Sequence, residues 1–372
     1  MRYRRLGRTG LEVSAVSLGT EYLIDRPREH VVSVIRQAIE RGVNYFDLFF
    51  AQPAFRDNMG VAFKEVRERV FLAAHLGAAD KDGQYQRTRS KEMCERFFLD
   101  FLERYDTDHV DVLLLHNCDK QEDYDKLFAP DGLLDMARRY RDEGKVRFIG
   151  FSGHTAATAQ QAVESGEIDV LMFPINIASN GVPGKRELFQ ACVTHDVGLV
   201  AMKPYAGGKL LTEARTEDLE FYQMGGEGRQ LEKKRPITPV QCLAYTLSQV
   251  GVTTAVPGCA DLEQLEAALA WLEASEEDRD FSSVLADFEQ VRSGECVYCN
   301  HCLPCPAEID IGLVNRLLDA ALQQVTAEVQ VAYDELAAKA SDCTQCGACE
   351  TRCPFGVSVM DRMTQASERF GA

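Results

Sequence analysis

The sequence has no uninterrupted apolar run of the ~20 residues that a membrane-spanning helix requires. Its opening, Met1 to Thr20, carries early arginines without the apolar core of a signal peptide. The expected location is therefore the cytoplasm, with no membrane partner. Basic charge is also short, because 41 Lys and Arg stand against 58 Asp and Glu, a formal net charge of -17. Phosphate binding rests on clustered cations, and the short patch Lys233, Lys234 and Arg235 is better read as a solvated loop. No nucleic-acid partner is expected. A third absence concerns glycine. No G-x-G-x-x-G follows the first strand candidate, which argues against an open, doubly wound dinucleotide-binding sheet.

What is present is alternation. With 372 residues, 45% of them hydrophobic, the chain can bury one large core and a small second one. From residue 12 to about 272, apolar or β-branched runs alternate with amphipathic helical stretches, the pattern of a parallel sheet with crossover helices. The strand candidates are Ser14 to Gly19, Val43 to Asp47, Val70 to His75, Val110 to His116, Val146 to Ser152, Asp169 to Pro174, Gly198 to Lys203 and Val252 to Val256. Eight such units predict an α/β fold, a (β/α)₈ TIM barrel over residues 1–280. The long charged segment Leu211 to Arg235 reads either as a lid or as a surface excursion.

Thirteen cysteines in a long chain without secretory features point to metal ligation rather than to disulfides. Cys296, Cys299, Cys302 and Cys305 stand two residues apart in turn, with Pro306 after the last. Cys343, Cys346, Cys349 and Cys353 follow the C-x2-C-x2-C-x3-C spacing, before Pro354. The second run matches the bacterial ferredoxin signature, in which the fourth cysteine ligates the other cluster. The assignment is therefore crossed. Cys296, Cys299, Cys302 and Cys353 are expected to hold one [4Fe–4S] cluster, and Cys343, Cys346, Cys349 and Cys305 the second. Two Cys₄ zinc sites are the alternative, disfavoured because zinc sites are usually built from two separated pairs. Residues 281–372 are thus expected to form a small α-helical, ferredoxin-like domain, with a helix from Val314 to Ala338 between the cysteine runs and the acidic run Glu273 to Asp280 as the linker. Cys94, Cys118, Cys192, Cys242 and Cys259 read as small buried hydrophobes, with Cys118 the one to inspect because it lies two residues past His116.

Catalytic residues of such barrels sit at the C-terminal ends of strands, which here carry Asp47, His75, His116, Ser152 and Lys203. The opening Tyr3-Arg4-Arg5-Leu6-Gly7-Arg8-Thr9-Gly10, the stretch Gly42-Val43-Asn44-Tyr45-Phe46-Asp47, Leu114-Leu115-His116 and Gly150-Phe151-Ser152 together resemble the aldo-keto reductases. The resemblance spans nearly the whole barrel, and the subgroup most similar carries the same two-cluster tail. It implies that Asp47 and His116 are the family's catalytic aspartate and histidine. The family's tyrosine acid falls on Gln52 and its lysine on His75, so the usual proton donor is missing. Tyr22, Tyr205 and His154 are the candidates to replace it. The resemblance also implies that Ser152 and Asn176 hold a nicotinamide amide, with Lys203 and Gly258 completing the cofactor-binding set. Met202 sits where an aromatic ring often stacks, and no Lys or Arg lies between Pro257 and Trp271, where the cofactor phosphates would sit. Asp261 and Gln264 read there as a capping box, Glu263 and Glu266 oppose a 2′-phosphate, and NAD(P)H is kept as an unfavoured cofactor.

Asp47, His75 and His116 are left as the catalytic set. They are read as an acid–base group in which a carboxylate-paired imidazole titrates above its ordinary ~6.5, as a 2-His-1-carboxylate metal site, or as structurally retained residues with no catalytic role. The leading expectation is an iron–sulfur oxidoreductase of the aldo-keto reductase type. It would act on a small carbonyl, enone or sugar-like substrate, with electrons passing through the two clusters from a ferredoxin or flavodoxin-type donor. The alternatives are an NAD(P)H-linked carbonyl reductase with auxiliary clusters, a non-catalytic electron-transfer subunit, and a redox-independent lyase using the histidine pair.

Overall fold

The apolar runs form strands buried on both faces, as parallel strands under crossover helices must be. All six residues of Val110–Leu115, for instance, are buried. In the computed structural model, which describes residues 1–81, 83–180, 182–211, 237–285, 296, 302–322, 324–353 and 356–371, twelve strands are found. They are β1 (Tyr3–Arg5), β2 (Glu12–Ser14), β3 (Leu18–Gly19), β4 (Tyr45–Leu48), β5 (Phe71–Leu76), β6 (Ala78–Lys81), β7 (Gln84–Arg87), β8 (Val110–Leu115), β9 (Val146–Ser152), β10 (Val170–Pro174), β11 (Gly198–Met202) and β12 (Val252–Val256). Cys299, Pro354, the basic patch Lys233, Lys234 and Arg235, and the rest of segment 212–236 lie outside the described residues.

Eight parallel strands form one sheet in the order β12-β11-β10-β9-β8-β5-β4-β3. The barrel closes between its edges through Ser17 N–H to Ala255 O at 2.9 Å and Gly19 N–H to Pro257 O at 2.9 Å. Tyr45, Val112, Leu114, Val170, Met172 and Val200 fill the interior. The antiparallel β1–β2 hairpin adds Leu6, Leu11 and Val13 to that cluster, with Leu6 against the start of β11 at Gly198. The predicted strand Ser14 to Gly19 is therefore two elements, because Ser14 ends the hairpin, where its N–H donates to Asn44 Oδ1.

The C-terminal helices share one apolar core with the barrel's outer layer, Leu188 and Phe189 meeting the same cluster as Val314 and Leu317. Buried Asp319 accepts hydrogen bonds from Arg186, on the barrel helix Lys185–Thr194, and from Arg362, on the last helix Val359–Phe370. The single helix expected from Val314 to Ala338 is two, Ile311–Ala320 and Ala327–Asp334. The second starts afresh at Thr326, whose hydroxyl accepts from Val329 N–H. The expected acidic linker contains a helical turn, Glu276–Arg279, capped by Ser275. No helix among the described residues is long and apolar enough to cross a membrane.

Candidate active site

Asp47 lies on β4, His75 on β5 and His116 just past β8, three neighbouring strands of the barrel. His75 Nε2 is 2.7 Å from Asp47 Oδ1, and His75 Nδ1 is 2.7 Å from His116 Nδ1. His116 Nε2 is 2.6 Å from the hydroxyl of Tyr85. With Asp47 ionised and both rings neutral, one proton assignment satisfies every bond. Tyr85 O–H donates to His116 Nε2, His116 Nδ1–H donates to His75 Nδ1, and His75 Nε2–H donates to Asp47 Oδ1. Burial, followed by the charges of His75, Arg89, His154 and Arg87, pushes His116 well below the ordinary imidazole range, so the neutral ring is its stable form. At His116 the shift is therefore downward. All four ring nitrogens are engaged within this chain, so the three residues do not turn a common face to a metal ion.

Tyr85 is the residue that sequence reasoning missed. It stands on the β6–β7 hairpin, paired with Asp80 across the ladder. Arg89 fixes the base of this hairpin with a two-pronged bond to Asp123, at 2.8 and 2.6 Å, while Arg87 reaches the same carboxylate at 3.1 Å. Both arginines also donate to Asn117 O, next to His116. Phe49 packs against all three rings of the chain, its centroid 5.9 Å from His75, 5.9 Å from Tyr85 and 6.0 Å from His116. Partial burial pushes the Tyr85 phenol up, against the pull of Asn117, Arg87 and Arg89. The other candidates for the missing tyrosine do not join this chain. Tyr22 lies over Gly258, the Tyr205 hydroxyl is buried with no hydrogen-bond partner, and His154 is engaged with Asp119 and Lys203. Gln52 precedes the helix Pro53–Phe63, with its Oε1 buried and unpartnered.

The chain opens into a cavity of about 210 Å³ at the barrel mouth, bordered by Asp47, His75, Tyr85 and His116, with Glu21, Ser152, His154 and Lys203 on its other sides. That is below the ~300–1,000 Å³ of drug-sized pockets, so it suits a small substrate. Ser152 Oγ accepts from Asn117 N–H at 3.0 Å. Asn176 is fully buried and borders neither this cavity nor its neighbour. Its Oδ1 accepts from Ser179 N–H and its Nδ2 donates to Lys203 O, each at 3.0 Å. It holds the end of β11 rather than offering its amide to a ligand. Burial pushes the Cys118 thiol up to about 12, the behaviour of an inert core cysteine.

A second cavity, of about 360 Å³, adjoins the first and runs past Gly258, where the resemblance would place cofactor phosphates. Its charge does not fit. Lys203 is its only Lys or Arg among the described residues. At the last strand-to-helix turn, Asp261 Oδ1 accepts from Gln264 N–H and Gln264 Oε1 accepts from Ala260 N–H. Those two amides are therefore taken from any phosphate, and Tyr22 and Glu21 crowd Gly258 from the open side.

In the C-terminal region Cys305 borders one cavity with Cys343, Cys346 and Cys349, although 38 residues separate it from Cys343. Cys302 is buried, and Cys296 and Cys353 are partly buried against the same core. All of these thiols are free of disulfides. Four thiolate donors around one small cavity are the donor set that an iron–sulfur cluster takes.

Comparison with known proteins agrees with this architecture. Residues 15–286 match the Aldo/keto reductase family, and residues 292–357 match the 4Fe-4S dicluster domain. The chain is 24% identical over 283 residues to the Uncharacterized oxidoreductase YqkF of Bacillus subtilis (strain 168), covering 71% of this chain and 89% of that protein. It is 24% identical over 312 residues to L-galactose dehydrogenase of Arabidopsis thaliana, covering 78% and 95%. Among solved structures, the holo form of aldo-keto reductase AKR11C1 from Bacillus halodurans superposes with a TM-score of 0.62 at 23% identity, covering 77% of this chain and 96% of that one. A family match over most of the chain, on a closed barrel with a carboxylate and two imidazoles at its strand ends, settles the assignment: the chain belongs to the aldo/keto reductase family, as an oxidoreductase that carries a 4Fe-4S dicluster domain.

Proposed function

We propose that the protein interconverts a hydroxyl and a carbonyl group on a small organic substrate and exchanges the electrons, through two [4Fe–4S] clusters, with a ferredoxin- or flavodoxin-type partner. The observation that carries this reading is the unbroken hydrogen-bonded chain from Asp47 to Tyr85, which ends at an O–H group in the mouth cavity. When bound, the clusters would supply one-electron chemistry: the two electrons of the C–H bond broken in oxidising a hydroxyl to a carbonyl would pass to them, one each, and the proton of that C–H bond to solvent water in the mouth cavity. Cys296, Cys299, Cys302 and Cys353 would hold one, and Cys305, Cys343, Cys346 and Cys349 the other.

The chain's own residues handle the proton on oxygen. A substrate hydroxyl donates to Tyr85, Tyr85 passes its proton to His116 Nε2, His116 Nδ1–H passes to His75 Nδ1, and His75 Nε2–H passes to Asp47. Both imidazoles are neutral before and after, in keeping with the depressed basicity of His116. Asp47 ends as a carboxylic acid, and reduction of a carbonyl runs the same transfers backwards. Phe49 packs against the two imidazole rings in the middle of the chain.

A second reading, a nicotinamide-linked reductase with auxiliary clusters, is favoured by the adjoining cavity past Gly258 and opposed by its having Lys203 as its single cation among the described residues. Isotope labelling separates the two. A hexose is the reasoned first probe, because one relative is named L-galactose dehydrogenase. With anaerobic protein and L-galactose deuterated at C1, the proposal expects substrate-dependent bleaching of the cluster absorbance without added nucleotide, and deuterium in the solvent. Deuterium recovered on a reduced nicotinamide, with the clusters spectroscopically silent, refutes it in favour of the second reading.

A further inference from the structure

The cavity shared by Cys305, Cys343, Cys346 and Cys349 has an uneven lining. Ile309, Ile311, Val359 and Met363 border it and are all buried and apolar. Among the described residues, Arg352 is the only Lys, Arg, Asp or Glu on its border. Arg352 is half-buried and ends the helix Ala348–Arg352, inside the second cysteine run. Its Nε–H donates to Ala348 O at 3.0 Å, between Cys346 and Cys349. Its Nη2–H donates to Pro304 O at 2.7 Å, between Cys302 and Cys305 of the first run. One guanidinium therefore joins segments 48 residues apart in the chain, and the join lies where a cluster shared between the two runs needs it.

Both acceptors are backbone carbonyls, and no carboxylate among the described residues pairs with Arg352. Glu350, two residues earlier, turns its Oε1 to Met360 N–H at 2.9 Å instead. The positive charge is thus left uncancelled beside four thiolate donors. A second feature acts in the same direction. The backbone of Gln345 is left-handed, φ 53°, and its N–H donates to Cys343 Sγ at 3.4 Å. Net charge and hydrogen bonds to the sulfurs are among the factors that set a cluster's reduction potential. Four thiolates make a [4Fe–4S] cluster anionic, and reduction adds a further negative charge, so a neighbouring cation favours the reduced form.

We infer that Arg352 holds the two cysteine runs together and raises the reduction potential of the cluster that Cys305, Cys343, Cys346 and Cys349 would hold. This rests on the cluster assignment given under Proposed function and on nothing about the substrate. A clamp alone requires only that cluster content fall when the two bonds are lost. The charge requires more, because the potential then follows the charge carried at position 352 even where the clamp is weakened.

A redox titration without substrate tests this. Anaerobic full-length protein is titrated with dithionite and mediators and followed by electron paramagnetic resonance, with iron counted in every sample. The cluster concerned is identified as the signal missing in Cys343→Ser. Solvent screening at a half-buried position holds the expected effect to about tenfold in the reduction equilibrium, which is 59 mV for a one-electron couple. Arg352→Gln should lower the midpoint of that signal by about this much. Arg352→Lys keeps the charge without the planar fork, and its midpoint should stay within about twofold of the wild-type equilibrium. An unmoved midpoint in iron-replete Arg352→Gln overturns the inference. If Arg352→Gln does not retain the cluster, Arg352→Lys decides, and a tenfold fall there overturns it equally. Failure of the reading under Proposed function shows separately, as clusters that titrate normally with dithionite but do not bleach with any hydroxylated substrate.

Discussion

Tyr85→Phe removes one oxygen atom from the end of the proton chain and leaves the ring contacts in place. The phenylalanine keeps its packing against Phe49 and Phe50, whose centroids lie 5.9 and 6.4 Å from the Tyr85 ring. The stability cost is that of one hydrogen bond on a residue 38% exposed, about 1 kcal/mol or less. The catalytic cost is larger. Without the hydroxyl, His116 Nε2 has no donor in the cavity and the substrate oxygen has no partner within the chain. General acid–base catalysis contributes about 10²–10⁴ in rate, roughly 3–5 kcal/mol of barrier. The expected result is a fall of that size in kcat, with KM within about threefold because binding groups elsewhere are untouched. The assay is single-turnover oxidation of a hydroxylated substrate, followed by cluster absorbance, in H₂O and D₂O. The solvent isotope effect should disappear with the hydroxyl. A second cut tests the series arrangement. His75→Ala interrupts the same chain, so the double variant should be no slower than the worse single one. A kcat within threefold of wild type in Tyr85→Phe, or additive losses in the double variant, refutes the chain.

His116 makes stability depend on pH in a stated direction. Its folded pKa lies below the ~6.5 of an unfolded chain, so the unfolded state binds the proton first as pH falls. The stabilisation is full above about 6.5 and lost below it, and urea melts at pH 7.5 and 5.0 should show a larger loss for wild type than for His116→Asn. Anaerobic protein should contain roughly eight irons, as two cubanes require, and Cys305→Ser should remove the cluster otherwise lost in Cys343→Ser, as read by electron paramagnetic resonance. Loss of the other cluster instead would break the crossed assignment. Asp319→Ala leaves Arg186 and Arg362 facing each other beside the C-terminal helices and should cost about 3–5 kcal/mol in a thermal or urea melt. His75→Lys, alone or with Gln52→Tyr, should lose activity in the same cluster-bleaching assay, and full activity in the double variant would show that the family's usual tetrad can be rebuilt here.

The barrel was legible wherever a strand is apolar on both faces. Val252–Val256, buried throughout, and Val146–Ser152, apolar apart from exposed Arg147 and the terminal Ser152, fall on the predicted bounds. Asp47, His75 and His116 were readable because strand C-termini converge on the mouth of such a barrel. Tyr85 was not, although a signal existed. The dipeptide Asp82-Gly83 stands in the sequence between the segments that pair as β6 and β7, but nothing local says that such a hairpin folds over the mouth. That depends on the bonds of Arg87 and Arg89 to Asp123, contacts more than thirty residues apart. The role of Asn176 was hidden for a related reason. Only the left-handed turn at Lys203 shows that the buried amide is occupied with the backbone.

The replacement of a lysine by His75 changes the chemistry as well as the partner. A lysine beside a catalytic tyrosine acts by charge, lowering the phenol's pKa through an ammonium that only donates. His75 neither carries that charge in the chain described here nor needs it. It accepts on one nitrogen and donates on the other, which a lysine cannot do, and it couples His116 to Asp47 at 2.7 Å on each side. The phenol is consequently not made acidic in advance, and burial raises it instead. What draws the proton is the carboxylate at the far end. In the proposed transfer Asp47 receives the proton taken from a hydroxyl, the step that starts an oxidation, and in reduction it gives that proton back. It follows why Gln52 is tolerated. A tyrosine there would have to reach a cavity that Gln52 does not border, and the hairpin already supplies a phenol from the other side.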